Sequence, residues 1–80
     1  MKLLSDNDWK ALTAALQQHE ELVFVRTLGS VSVEVRTAPA SDIWPVPMLV
    51  TARMDSPRKT QQQHFETTKD ARAALEKWKP

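Results

Sequence analysis

Leu22-Val23-Phe24-Val25-Arg26-Thr27-Leu28-Gly29-Ser30-Val31-Ser32-Val33-Glu34-Val35-Arg36-Thr37 is the stretch on which the fold turns. Two runs rich in β-branched and aromatic residues flank Gly29-Ser30, a two-residue turn signal. In the second run Val31, Val33 and Val35 alternate with Ser32, Glu34 and Arg36, the period of a strand with one buried face. The stretch predicts a β-hairpin. Two registers are open to it. A two-residue loop sets Arg26 opposite Val33 and turns Val23 and Val25 onto the polar face. A three-residue loop pairs Val25 with Val33 and Val23 with Val35. That register gathers five valines on one face and leaves Leu22, Phe24 and Arg26 beside Ser32, Glu34 and Arg36 on the other. The hydrophobic pattern favours the three-residue register, which is the expectation here, although Gly-Ser suits a two-residue turn better.

Upstream of the hairpin, Ser5 reads as a helix N-cap with Asp8 at the capping-box position. Leu4 and Trp9 occupy the staple positions around it, and Asp6 and Asp8 suit the positive end of the helix dipole. Trp9, Leu12, Ala15 and Leu16 share one helical face, so a helix is expected from about Asp6 to about His19–Glu21. Downstream, the segment Thr37 to Pro47 contains Pro39, Pro45 and Pro47 and reads as a loop or extended edge. Met48, Val50, Ala52 and Met54 alternate with Leu49, Thr51 and Arg53, a third strand. Asp55 to Lys59 is a turn, and Gln61–Glu66 is a candidate fourth strand with Phe65 facing in. Thr67 or Thr68 caps a last helix carrying Ala71, Ala74, Leu75 and Trp78 on one face.

The order is helix, three or four antiparallel strands, helix. The expected fold is a single α+β domain over residues 1–80. It is a two-layer sandwich in the order α-β-β-β(-β)-α, with a meander sheet and both helices on its apolar face. The reverse of the sheet is expected to be bare.

Composition narrows the function classes. The 80 residues are 41% hydrophobic and 26% charged, which fits a small folded domain. No cysteine is present, so disulfides and thiolate sites are excluded, and a reducing cytoplasm is the expected compartment. No apolar run reaches the roughly 20 residues a membrane span needs. The chain starts with Met and turns acidic at once, unlike a signal peptide, and is expected to be a complete small protein. His19 and His64 lack any third ligand at metal-site spacing. The single glycine, Gly29, rules out phosphate-cradling loops. No nucleophile elbow occurs. No cofactor, metal or enzymatic activity is expected.

The expected function is a non-enzymatic interaction module, an adaptor, inhibitor or regulator that binds another macromolecule, above all a protein, through the bare sheet face, an edge strand or the Trp44 loop. Its expected contact residues are Trp44, Phe24, Leu22, Arg26 and Leu49. Trp44, between Ile43 and Pro45-Val46-Pro47, is either a rigid hot spot or a plug for the open end of the core. Phe24, Leu22 and Leu49 would form an apolar cluster on the bare sheet face. A homodimer through sheet edges or faces is compatible with this reading. Small proteins of this kind are common on phages and mobile elements. The alternative is nucleic-acid binding. Net charge is only +1, but residues 1–52 sum to −2 and residues 53–80 to +3. Arg53, Arg58, Lys59, Lys69 and Arg72 would supply the phosphate contacts, although a Lys/Arg/Glu stripe is also what a solvated helix face looks like.

Overall fold

The computed structural model describes residues 2–40 and 47–80. The element order is α1 (Asp6–Gln17), β1 (Leu22–Leu28), β2 (Val31–Pro39), β3 (Met48–Asp55), β4 (Thr60–Phe65) and α2 (Thr68–Lys77). The strands form one antiparallel meander in the order β1-β2-β3-β4.

α1 begins where its cap residues dictate. The Asp8 amide donates to Ser5 Oγ at 3.2 Å and the Ser5 amide donates to Asp8 Oδ2 at 3.0 Å, a complete capping box. The helix stops at Gln17, short of the expected His19–Glu21. His19 is not its last turn but the first residue beyond the cap, at φ 57°. The His19 amide bonds the Leu16 carbonyl and the Glu20 amide bonds the Ala15 carbonyl, which is a Schellman closure. α2 starts at its N-cap Thr67, whose Oγ1 accepts from the Asp70 amide at 3.1 Å.

The hairpin register differs from the expected one. Leu28 pairs with Val31, Arg26 with Val33, Phe24 with Val35 and Leu22 with Thr37. Gly29 takes φ 59° while Ser30 does not enter the positive-φ region, the arrangement of a type II′ turn with glycine first. A two-residue turn of this hand continues the strand twist, and it overrides the valine pattern. Leu22, Phe24 and Arg26 therefore lie on the helix-covered face, and Val23 and Val25 lie on the reverse.

The core lies between the sheet and the helices. Val31, Val33 and Val35 of β2 join Val50, Ala52 and Met54 of β3 on one face, together with Trp9 and Leu12 of α1 and Ala71 and Leu75 of α2. Both helices thus cover the same side. Leu22, Phe24, Phe65 and Trp78 close the rim of this cluster. The buried hydroxyl of Thr37 donates to the Glu20 carbonyl at 2.7 Å and accepts the Leu22 amide at 2.9 Å. It ties the α1–β1 connection to β2. Thr13 Oγ1 donates to the Trp9 carbonyl at 2.9 Å. Its one proton is thereby used, so Thr68 donates across the 2.6 Å contact that joins the two helices.

Candidate interaction surfaces

The helix-free face of the sheet carries Val23, Val25 and Thr27 from β1, then Ser32, Glu34 and Arg36 from β2. Leu49, Thr51, Arg53 and Asp55 follow from β3, and Thr60, Gln62 and His64 from β4. Its middle is polar. Arg53 reaches Asp55 at 3.0 Å and Arg36 reaches Glu34 at 3.8 Å. Thr51 Oγ1 and His64 Nδ1 are 2.8 Å apart. The two ion pairs each join residues two apart on one strand, and the Thr51–His64 pair crosses from β3 to β4, so these groups satisfy one another and leave little for a ligand.

Apolar exposure is concentrated elsewhere. Among the described residues the large hydrophobic side chains left exposed are Val23 at 50%, Val25 at 52% and Leu28 at 61%. All three belong to β1, which is an edge strand. Residues flanking a two-residue hairpin loop exchange both backbone hydrogen bonds. Leu28, Arg26, Phe24 and Leu22 therefore point their amides and carbonyls at β2, and Val23, Val25 and Thr27 point theirs at the open edge. The Arg26 side chain bears this out: its Nη1 donates to the Val25 carbonyl at 3.0 Å, from outside the sheet. The opposite edge, β4, reads Thr-Gln-Gln-Gln-His-Phe and is polar.

Of the expected contact residues, Phe24 and Leu22 are half-buried against the core and not on the free face. Arg26 is on the same covered side. Its guanidinium lies 5.1 Å from the Phe24 ring centre and its Nη2 bonds Asp8 Oδ2 at 3.3 Å. The Ser5 amide and Arg26 together hold the Asp8 carboxyl below its ordinary range. The reason for this correction is the turn: a one-residue change of loop length moves every side chain of β1 to the other face. Leu49 is on the free face, partly exposed, beside Ala38. Trp44 lies outside the described residues. The valines of β1, which the expected register placed in the core, are the residues that sequence reasoning missed. Gly29-Ser30 was the signal that could have found them.

The five basic residues of the alternative reading are spread out. Arg53 is on the free face and ion-paired. Arg58 and Lys59 are exposed in the turn between β3 and β4. Lys69 and Arg72 are in the first turns of α2, on the helix layer. Arg72 bonds Asp6 of α1 and, at 3.2 Å, Glu76, and the Arg72 contact lowers the Asp6 carboxyl. A groove between the helices is lined by Trp9, Lys10, Thr13, Thr68, Lys69 and Arg72, with the two threonine hydroxyls already bonded to each other. Among the described residues no cluster of His, Asp or Glu has the makings of a metal site, and no helix is long and apolar enough to cross a membrane.

Comparison with known proteins finds no matching family model, no matching curated protein and no matching solved structure.

Proposed function

We propose that this chain is a non-enzymatic protein-interaction module, and that the β1 edge is its contact surface. The observation carrying the reading is the coincidence, among the described residues, of a strand edge that no other strand covers with the exposed Val23, Val25 and Leu28. An edge of this kind accepts an added strand: main-chain bonds provide affinity and alternate side chains provide selectivity. An adaptor or inhibitor working this way needs no catalytic group. The cysteine-free composition supports a reducing compartment such as the cytoplasm.

The test is affinity capture from the native host at low and high salt. A strand-adding partner stays bound at high salt and is lost with the double substitution Val23→Lys, Val25→Lys. Nucleic acid behaves oppositely: it is released by salt and by Arg58→Glu with Lys59→Glu, and that outcome would replace the present reading. Trp44→Ala probes the proline-flanked segment in the same assay. Phe24→Ala is a poor probe, since its ring packs against the core.

A further inference from the structure

We infer that the partner of the β1 edge is a second copy of this chain, joined by antiparallel β1–β1 pairing about a two-fold axis at Val25. The inference rests on the edge reading above and assigns its occupant. It follows from the self-complementarity of Leu22–Leu28. Only Val23, Val25 and Thr27 present backbone groups outward, so an added copy must match odd-numbered residues with odd-numbered ones. An axis at Val25 sets Val25 opposite the partner's Val25 and Val23 opposite the partner's Thr27, and satisfies about six backbone bonds. On the covered side it sets Leu22 opposite the partner's Leu28 and Phe24 opposite the partner's Arg26. Leu28, exposed within its own chain, gains an apolar neighbour. Arg26, already over its own Phe24, gains a second ring. On the free side the valines of the two copies join into one strip across the seam.

Neighbouring registers are poorer. An axis at Arg26 faces two guanidiniums directly, which is repulsive. An axis at Phe24 leaves Leu28 opposite the partner's Glu20 and shortens the overlap. The Val25 carbonyl keeps a second lone pair, so its bond from Arg26 does not block the seam. Seven residues make a small interface, so the assembly is sought at high protein concentration.

The experiment uses the full chain, which has no native cysteine. Sedimentation at about 100 μM is expected to show a dimer, and Val25→Lys a monomer with an unchanged circular dichroism spectrum. Single cysteines then read the register. Under mild oxidation Val25→Cys cross-links to itself, its Cα pair falling about 5.5 Å apart, within disulfide reach. Val23→Cys alone and Thr27→Cys alone do not, since their own copies sit about 14 Å apart, but the two mixed together do. Val25→Cys is expected to react roughly tenfold faster than the exposed control Gln62→Cys, through the raised local concentration. A monomer at this concentration overturns self-pairing, as does equal reactivity of Val25→Cys and Gln62→Cys. If such a monomer still captures a different protein through β1, the self-pairing fails while the edge reading stands. If neither occurs, both fail.

Discussion

At the scale of single residues, two positions hold polar or strained groups whose worth can be measured. Thr37 stands where the alternation of β2 calls for a valine, with its side chain buried. Its hydroxyl uses both its proton and a lone pair, on the Glu20 carbonyl and the Leu22 amide. Thr37→Val keeps the shape and strands both backbone groups. We expect a loss of about 1–3 kcal/mol, read from the urea midpoint, with the secondary structure intact. A midpoint equal to the parent's would mean that the backbone groups find other partners. His19 presents the reverse case. It sits in the left-handed region at a helix end where glycine is the usual occupant. His19→Gly should raise stability by about 0.5–1 kcal/mol, seen as a higher thermal midpoint, whereas His19→Val should lower it.

The hairpin and the capped helix show how much each element owes to a short local signal. Gly29 needs its positive φ, and a Cβ there would meet no neighbour. Gly29→Ala therefore isolates backbone strain, with an expected loss of about 1–2 kcal/mol. A pattern-based reading favours the three-residue loop because it gathers five valines. The observed register instead turns Val23 and Val25 outward. An edge strand contacts one neighbour, so its two faces differ less in burial than those of β2 or β3. Valine on its outer face costs little, and the turn dihedrals decide. For α1 the local signals were enough at its start: Ser5 and Asp8 close the box as expected. Ser5→Ala should cost about 1 kcal/mol, checked by the same denaturation assay. Its end was not legible, because His19 is an uncommon residue for a left-handed cap.

Across the whole molecule, charge acts through a few carboxylates that tie separate elements together. The Arg72 contact lowers Asp6, the Ser5 amide lowers Asp8, and the Thr60 hydroxyl and Arg53 lower Asp55. Each lies below its ordinary value of 3.8 in the folded chain. The unfolded chain then binds protons first as pH falls. Stability from these groups is fully present above that value and is lost on the acid side, as pH drops through the folded values. Urea midpoints should be level between about pH 7 and pH 5 and decline below about pH 4. Asp8→Asn should flatten part of that decline; an unchanged acid limb would show that Asp8 plays no part in it. By itself the sequence determined the kind and order of both helices and of β1 to β3, since periodicity, caps and turn residues act over a few neighbours, and it left β4 open because the three glutamines there have little strand preference. It also determined that β2 and β3 supply the core, because they alternate without ambiguity. Only the tertiary structure decided which side of β1 meets the helices and which edge is left apolar. It alone also showed that the basic residues lie on different surfaces. Apolar content on both faces of β1 leaves its periodicity silent, so the geometry of the Gly29-Ser30 turn selects the face, whereas the edge left apolar and the separation of the basic residues are relations between segments distant along the chain.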